Sequence, residues 1–411
     1  MKALTIQIGI FGRINVGKSS LMNFITNQSA SIVSSFAGTT TDVVNKQMEL
    51  NPLGPITLFD TAGIDDISVL SDARIEKTNR AFDSSDIVML MCEADKFGVL
   101  EENIIKEAGK RETPCIIVIG KTDLQKPSSK FLEAIKKYSK NVLTFSAIDS
   151  NRDDFLNALK KILVEELPDN YIESYLSLRN IVSKDDTVIL VMPIDRGAPR
   201  GKIIMPQIQT LRHILDLNAC SYTVQDSEYE SALQNLKVKP VLVITDSQAI
   251  KRIAQKTPSD IKLTTFSTIY AADKSDIVEM AKGAAAIDNL KDGDKVLIAE
   301  ACAHHASADD IGRVKLPKWI RDYSKKDLEI KYVSGQDYPK DISNYKVIIH
   351  CGACTLNRKA MLSRLDKAII QRVPITNYGI AISVVCGVIE KTLEVFPEAL
   401  RAYKNSKRQK F

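Results

Sequence analysis

Short apolar runs alternate with amphipathic stretches along the chain. In the first 167 residues, five runs of strand length are separated by stretches with a helical spacing of apolar positions: LTIQIGI, ITLFD, DIVMLMC, CIIVIG and NVLTFS. Strands joined by helical crossovers form a mainly parallel sheet that is covered by helices on both faces. The pattern therefore predicts an α/β domain at the start of the chain.

The alternation continues after Leu167, where a helical pattern ends and a proline follows. A second group of runs reads TVILVMP, CSYTV, PVLVIT and IKLTTF, and a third reads KVLIAE, EIKYV and YKVIIH. The sequence thus predicts three α/β domains, at residues 1–167, 168–267 and 268–411. Because the middle segment carries no motif for chemistry and lies between two segments that carry one, we interpret it as an association domain.

Composition and charge exclude several classes of protein. The 411 residues are 44% hydrophobic and 26% charged, which is typical of a folded chain and excludes disorder, collagen-like repeats and a disulfide scaffold. The net charge of +5 is too small to indicate a nucleic-acid surface, and the basic tail 404–410 is predicted to fray. No apolar run reaches the about 18 residues of a membrane span, and we expect a cytoplasmic protein without contact to membranes.

The turn after the first apolar run carries a phosphate-binding motif. It reads GRINVGKS from Gly12 to Ser19, which is a complete G-x4-G-K-S loop between a strand and a helix. Backbone N–H groups curl around phosphate oxygens there, while Lys18 neutralises phosphate charge and the Ser19 hydroxyl binds Mg²⁺. Asp60 and Gly63 follow the apolar residues Ile56 to Phe59, where a carboxylate reaches the Mg²⁺ shell and a glycine N–H meets the γ-phosphate. Together these residues predict a nucleoside triphosphatase.

Guanine is the predicted base. Lys121 and Asp123 follow the run CIIVIG and are similar to the N-K-x-D motif of GTPases, in which the aspartate accepts from guanine N1–H and the amino group. The asparagine of that motif is replaced by Gly120, which removes one contact. Ser146 and Ala147, after NVLTF, are similar to the fifth GTPase motif and favour guanine over adenine.

The seven cysteines fall into two groups. An odd number in a protein that we expect to be cytoplasmic argues for free thiols. Four lie inside apolar runs and are predicted to be buried: Cys92, Cys115, Cys220 and Cys386. The other three accompany three of the four histidines in the segments CAHH and HCGAC, namely Cys302, His304, His305, His350, Cys351 and Cys354.

Both cysteine segments come directly after a predicted strand, KVLIAE or YKVII. Open α/β sheets place their sites at this edge, and the two segments converge if the strands are parallel neighbours. Three cysteines and one histidine satisfy tetrahedral zinc. A 4Fe-4S cluster is favoured over zinc, because Cys351-Gly-Ala-Cys354 opens onto a helix and three thiolates leave one iron available. The residues leave the fourth ligand open among a histidine, a carboxylate and solvent.

The GTPase motifs, with the segment AGTTTD from Ala37 to Asp42, resemble the branch of GTPases that contains the tRNA-modifying and ribosome-assembly enzymes. The resemblance implies that Asn15 helps bind K⁺, that Thr40 reaches Mg²⁺ and that dimerisation stimulates hydrolysis. Ile64 stands where a glutamine would orient water, so slow, K⁺-stimulated, switch-like turnover is implied. Lys18, Thr40 and Asp60 are the candidate catalytic residues. The candidate nucleotide-binding residues are Gly12, Asn15, Val16, Gly17, Lys18, Ser19, Ser20, Thr39, Thr40, Asp60, Gly63, Lys121, Asp123, Ser146 and Ala147.

A GTPase followed by C-x-H and H-C-x-x-C resembles the maturation GTPases of FeFe-hydrogenases. That family implies that the middle domain is a dimerisation domain and that residues 268–411 form an iron–sulfur cluster-binding domain. It also implies a homodimeric scaffold that receives a diiron precursor from two radical-SAM maturation enzymes, holds it near a 4Fe-4S cluster and delivers it to apo FeFe-hydrogenase. Its ligands correspond to Cys302, Cys351 and Cys354, and its motif histidines to His304 and His350. Two alternatives are a tRNA-modifying or ribosome-associated GTPase with a structural metal, and an iron–sulfur enzyme acting on a small molecule. The first needs a basic, aromatic face, which this chain offers only as a short tail and one Trp.

Overall fold

The computed structural model describes residues 5–27, 45–51, 53–61, 72–167, 176–194, 204–301, 310–335 and 337–408. The chain divides into two compact units, Met1–Glu173 and Ser174–Phe411. Both are α/β structures with mainly parallel sheets, which confirms the predicted fold class. The predicted domain boundary at residue 167 lies at the end of a helix, the one at 267 lies inside a helix, and both stay predictions.

A six-stranded sheet forms the centre of the first unit. Its strands are β1 (Ile6–Gly12), β2 (Asn45–Leu50), β3 (Gly54–Asp60), β4 (Ile87–Glu93), β5 (Cys115–Gly120) and β6 (Val142–Thr144), in the order β2-β3-β1-β4-β5-β6. Its helices are α1 (Lys18–Thr26), α2 (Asp72–Ser84), α3 (Val99–Lys110), α4 (Ser129–Ile135) and α5 (Arg152–Glu166). The central strands are largely apolar because parallel strands are buried on both faces. Only β2 is antiparallel, among the described strands, and the apolar pattern did not reveal it.

Two parallel sheets form the second unit. One contains β7 (Thr187–Val191), β8 (Cys220–Val224), β9 (Leu242–Thr245) and β10 (Lys262–Thr265), in the order β10-β9-β7-β8. The other contains β11 (Lys295–Ala299), β12 (Glu329–Val333), β13 (Val347–His350) and β14 (Ile375–Asn377), in the order β12-β11-β13-β14. Cys220 is exposed, contrary to the prediction, because β8 is an edge strand in which no position is buried.

Helices cover both sheets of this unit. They are α6 (Met205–Asp216), α7 (Tyr229–Asn235), α8 (Ile250–Lys256), α9 (Phe266–Lys274), α10 (Ile277–Ala284), α11 (Leu316–Ser324), α12 (Arg358–Ile370), α13 (Tyr378–Val385), α14 (Ile389–Leu393) and α15 (Pro397–Arg408). A π-helix at Ile311–Lys315 precedes α11. None of the helices in the described part of the chain is long and apolar enough to cross a membrane.

The two sheets share one core. Val243 of the first sheet and Ile253 of the helix α8 belong to the same buried cluster as Val296 and Ile348 of the second sheet. The chain also returns to the first sheet near its C-terminus, because α14 contacts β10 and Val395 lies in that sheet's own apolar cluster. The segments predicted as separate middle and C-terminal domains are therefore packed as one compact unit.

The basic C-terminal segment is helical rather than frayed. α15 continues to Arg408. The side chain of its Tyr403 is buried, and the Tyr403 hydroxyl donates to Asp288 at 3.1 Å. Lys404 pairs with Glu390 at 2.7 Å, and Lys407 pairs with Asp288 at 3.2 Å. The prediction of a frayed tail is wrong up to Arg408, because apolar positions at helical spacing anchor the segment.

Candidate functional site

The phosphate loop of the first unit connects β1 to α1. Gly12 and Gly17 have φ angles of 144° and 108°, a region that glycine enters without steric cost. Asn15 also has a positive φ, of 58°. Lys18 is 7% exposed, and its Nζ donates to the carbonyls of Gly12 at 3.1 Å and Arg13 at 2.8 Å. The loop thus positions the lysine before any phosphate is bound.

Asp60 lies beside this loop because β3 pairs with β1 in parallel, with Asp60 opposite Ile10. The Ser19 hydroxyl donates to Asp60 Oδ2 at 2.7 Å, while Oδ1 is buried without a hydrogen-bond partner among the described residues. Burial raises the pKa of Asp60, although Ser19 and Lys18 act in the opposite direction. A buried carboxylate oxygen without a partner, next to a hydroxyl, suits Mg²⁺, which prefers hard oxygen ligands.

Three candidate residues of this site, Thr39, Thr40 and Gly63, lie outside the described residues. The loop residues Val16 and Ser20 are described, the first buried and the second exposed. The structure therefore brings together the phosphate loop, Ser19 and Asp60.

The candidate base-binding residues follow the neighbouring parallel strands β5 and β6. Lys121 forms an ion pair with Glu93, and hydrogen bonds from Lys121 and Lys96 lower the pKa of Glu93. Asp123 is exposed. The Ser146 hydroxyl accepts from the N–H groups of Ile148 and Asp149 at 3.1 and 3.0 Å and so holds the turn that contains Ala147.

Gly120, which stands in place of the motif asparagine, packs against Met91. A Cβ at position 120 would lie 2.6 Å from Met91 Cε and 3.2 Å from the Val16 carbonyl oxygen. The methionine side chain thus fills the space beside the phosphate loop, and this packing accounts for the departure from the motif.

Arg13 of the phosphate loop is paired with Glu101 of α3. Its Nε and Nη2 donate to the two carboxylate oxygens at 2.7 and 2.9 Å, and the Glu101 side chain is fully buried. Burial alone would raise the pKa of Glu101, but hydrogen bonds from Arg13 and from the Gly98 N–H outweigh it and lower the pKa. The pair fixes the loop to α3.

Substitution of Arg13 by alanine is expected to lower the free energy of unfolding of the first unit by about 2–3 kcal/mol, because it leaves a buried carboxylate without its cation. Urea denaturation checks this. The double variant Arg13→Ala/Glu101→Gln should recover most of the loss, since a neutral amide needs no counter-charge. A single variant as stable as the parent would contradict the assignment.

The cysteine segments of the second unit lie at one sheet edge. β11 and β13 are parallel neighbours, with Ala299 opposite His350, which confirms the predicted convergence of the two strand ends. Cys351 Sγ accepts from the N–H groups of Ala301 at 3.1 Å and Ala353 at 3.4 Å. Ala353 has a φ of 54°, so the turn after Cys351 is tight.

The remaining cysteines differ in what can be described. Cys354 is exposed, whereas Cys302, His304 and His305 lie outside the described residues. Within the described ranges, no three His, Cys, Asp or Glu side chains are grouped to hold a metal ion. The donor chemistry nevertheless fits an iron–sulfur cluster, because N–H groups directed at a cysteine sulfur stabilise a metal-bound thiolate.

His350 is fully buried beneath this edge. Its Nε2 accepts from Arg364 Nη1 at 2.9 Å, because a guanidinium can only donate, and Nδ1–H donates to the Cys351 carbonyl at 2.8 Å. Burial and the Arg364 charge lower the pKa of His350 to about 3, so the ring is neutral. Both ring nitrogens are occupied in this structure, which leaves neither of them for a metal.

An ion pair joins the two flanks of the segment that carries Cys302. Glu300 precedes the segment, is 2% exposed and accepts through Oε2 from Arg313 Nε at 3.0 Å and Nη2 at 2.8 Å. Arg313 belongs to the π-helix that follows the segment. The ion pair therefore joins the chain just before residues 302–309 to the π-helix that follows them.

The segment after Cys354 is anchored by α9. Lys274 Nζ donates to the Leu356 carbonyl, and Arg358 Nη1 donates to the Asp273 carbonyl at 3.3 Å. The Asp273 carboxylate accepts from the Ser177 N–H at 3.4 Å. Burial raises the pKa of Asp273 to about 6, against smaller opposite effects from Ser177 and Arg358.

The raised pKa of Asp273 predicts that its ionised carboxylate lowers the free energy of unfolding at neutral pH. The folded state binds the proton of the Asp273 carboxyl more tightly than the unfolded state does. The stabilisation by this proton is therefore complete below the ordinary pKa of an aspartate and is lost as the pH rises through about 6. Asp273→Asn should therefore raise the free energy of unfolding by about 2 kcal/mol at pH 7.5 and leave it unchanged near pH 3.5. Urea titrations at both pH values measure it, with exposed Asp322→Asn as the control. A pH-independent difference would contradict the prediction.

Comparison with known proteins covers both units. Residues 278–395 match the family model described as Hydrogen maturase F tetramerization domain, and residues 177–275 match Hydrogen maturase F dimerization domain. Residues 7–121 match 50S ribosome-binding GTPase. The two maturase models together cover more than half of the chain, and they support an oligomeric assembly.

Individual relatives match part of the chain. The tRNA modification GTPase MnmE of Acetivibrio thermocellus is 33% identical over 160 residues, 38% of this chain and 34% of that protein, so the chain spans about a third of this relative. GTPase Era of Thermoanaerobacter sp. is 26% identical over 270 residues, 62% of this chain and 85% of that protein.

Two solved structures are also similar to part of the chain. Aquifex aeolicus Era bound to GDP·AlF4⁻ is 21% identical and covers 54% of this chain and 94% of its own, with a TM-score of 0.34. The G domain of T. maritima FeoB is 20% identical and covers 39% of this chain and 98% of its own, with a TM-score of 0.31.

Proposed function

The chain belongs to the hydrogen maturase F family of hydrogenase-maturation GTPases, and from this premise we propose that it is a GTP-hydrolysing scaffold for cofactor assembly. It holds a 4Fe-4S cluster with one exchangeable iron, receives a diiron precursor there and delivers it to apo FeFe-hydrogenase. The observation that carries the proposal is that the Cys351 sulfur accepts hydrogen bonds from two backbone N–H groups. It does so at the sheet edge where β11, the strand that precedes Cys302 in the chain, also ends. The ribosome-associated alternative is not favoured, because the maturase domains occupy the second unit.

The GTPase site works through charge and position. Lys18 and the loop N–H groups bind the β and γ phosphates, and Ser19, Thr40 and Asp60 hold Mg²⁺, which neutralises charge that develops on the phosphates. Lys121, Asp123, Ser146 and Ala147 bind guanine. The Lys18 ammonium, already held by two loop carbonyls, needs little reorganisation when phosphate enters.

Turnover is slow and stimulated by K⁺, with Asn15 as a ligand of that ion. The exposed position and positive φ of Asn15 support this role, because its amide oxygen is accessible beside the loop. Asn15→Gly tolerates the same backbone conformation but lacks the amide. Asn15→Gly should lower the ratio of kcat in KCl to kcat in NaCl by at least about tenfold. Lys110→Ala should leave this ratio unchanged. An unchanged ratio would remove Asn15 from the K⁺ site.

The proposed cluster ligands are Cys302, Cys351 and Cys354. Three thiolates would leave the fourth iron available to bind an external ligand. His350 instead positions the loop through the Cys351 carbonyl, since both of its nitrogens are occupied. His304 remains the motif histidine proposed near the open iron. Two radical-SAM maturation enzymes supply the precursor, and a homodimer is the working assembly.

Anaerobic iron and sulfide analysis with EPR of the dithionite-reduced, reconstituted protein tests the proposal. About four irons per chain, with a signal that shifts when imidazole is added, are expected. Bound zinc without an EPR signal would overturn the scaffold and make the cysteines structural. Steep salt-dependent RNA binding would instead favour the ribosome-associated class.

A further inference from the structure

Three side chains stand directly beyond three neighbouring strands of the cysteine-bearing sheet. Ala299, His350 and Asn377 are opposite one another in β11, β13 and β14. The residues that follow them in the chain are Glu300, Cys351 and Tyr378. Parallel strands lie about 5 Å apart, so Tyr378 comes next to the candidate cluster ligand Cys351. No sequence motif marks this tyrosine.

The Tyr378 hydroxyl is buried and has no hydrogen-bond partner among the described residues. A buried hydroxyl without a partner is costly and calls for a reason. A tyrosine hydroxyl carries its proton at neutral pH and can donate a hydrogen bond. Tyr378 therefore provides a buried donor beside the turn that contains Cys351.

The surrounding residues make room for this hydroxyl. A Cβ at Gly312 would lie 2.2 Å from the Tyr378 hydroxyl oxygen and 2.9 Å from Glu300 Oε1. The glycine thus allows the π-helix to approach both side chains, while Arg313 holds Glu300 from the other side. The position of the hydroxyl is fixed by packing rather than by a hydrogen bond.

We propose that Tyr378 is a positioning residue whose hydroxyl donates a hydrogen bond to a small anionic ligand with a terminal lone pair, such as cyanide, on the exchangeable iron. The inference rests on the proposed function, since it requires a cluster held by Cys351. The bond favours ligands that accept at their outer end over ligands that do not. Tyr378 thereby selects the kind of group through which a metal fragment attaches.

The test uses the full-length reconstituted protein and two ligands, potassium cyanide and 1-methylimidazole, titrated against the EPR signal of the reduced cluster. The outer nitrogen of bound cyanide accepts a hydrogen bond, whereas the methylated nitrogen of 1-methylimidazole neither accepts nor donates one. Tyr378→Phe should weaken cyanide binding about ten- to hundredfold and leave 1-methylimidazole binding unchanged. Tyr403→Phe, which removes a buried hydroxyl on α15, should change neither.

Other outcomes separate this inference from the function on which it rests. Equal weakening of both ligands, or loss of iron from Tyr378→Phe, would overturn the inference by showing a merely structural role. Gly312→Ala, which displaces the hydroxyl, should reproduce the selective loss, and unchanged cyanide binding in both variants would also overturn it. A parent protein that binds no iron would refute the proposed scaffold itself.

Discussion

Replacing Lys18 by alanine is expected to lower kcat for GTP hydrolysis by at least about 10³-fold. Lys18 is 7% exposed and its ammonium is held by the Gly12 and Arg13 carbonyls, so the charge stands beside the loop that binds phosphate. No other side chain described in the loop carries a cation toward that position, because Arg13 is bound to Glu101. Single-turnover hydrolysis with saturating GTP and Mg²⁺ measures the loss.

The same variant should keep its iron and its fold. Lys110→Ala, which removes a lysine from the exposed end of α3, is the matched control and should retain full activity. Circular dichroism distinguishes lost chemistry from lost structure. A Lys18→Ala protein that hydrolyses GTP at the parent rate would exclude the phosphate loop from catalysis.

Replacing Cys351 by alanine is expected to reduce reconstituted iron from about four atoms per chain to fewer than about one. Its sulfur receives the Ala301 and Ala353 N–H groups, and no neighbouring side chain can replace a ligand whose position is set by the strand end. GTP hydrolysis should stay within about twofold of the parent, since the phosphate loop and Cys351 belong to different compact units and residues without shared partners contribute independently.

Cys386→Ala is the control for this experiment. Cys386 is a free, partly buried thiol at the end of α13 and lies in no cysteine motif. It should leave the iron content unchanged. Loss of iron in both cysteine variants, or loss of GTP hydrolysis together with iron in Cys351→Ala, would contradict the assignment of separate sites.

The strands that carry the chemistry were predictable because each is apolar and ends at a polar motif. β1, β3, β5 and β6 precede the nucleotide motifs, and β11 and β13 precede the cysteine segments. Their parallel pairing then follows from the helical crossovers between them. The elements missed were those whose pattern is ambiguous. β2 is short and polar, and α13 is apolar on all sides, so periodicity cannot distinguish it from a strand.

Side-chain roles were harder to predict than positions. The motif placed His350 among the candidate metal ligands. Whether its ring nitrogens are available depends on Arg364 of α12, which donates a hydrogen bond to His350 Nε2. Tyr378 follows a strand of three residues and carries no motif, so only the register of β13 and β14 places it beside Cys351. Such partners come from tertiary packing, which a single sequence does not encode locally.

The return of the chain to the sheet of β7 to β10 limits how this protein can be dissected. A fragment that ended after β10 would lose Val395 from its apolar cluster and the contact of α14 with β10. It would also lose Lys391, whose Nζ donates to the Thr257 carbonyl at 2.8 Å. The exposed strand and helix surfaces would promote self-association of the fragment. Truncated forms of this half would therefore report on aggregation, whereas single-residue substitutions in the intact chain keep the scaffold on which both sheets depend.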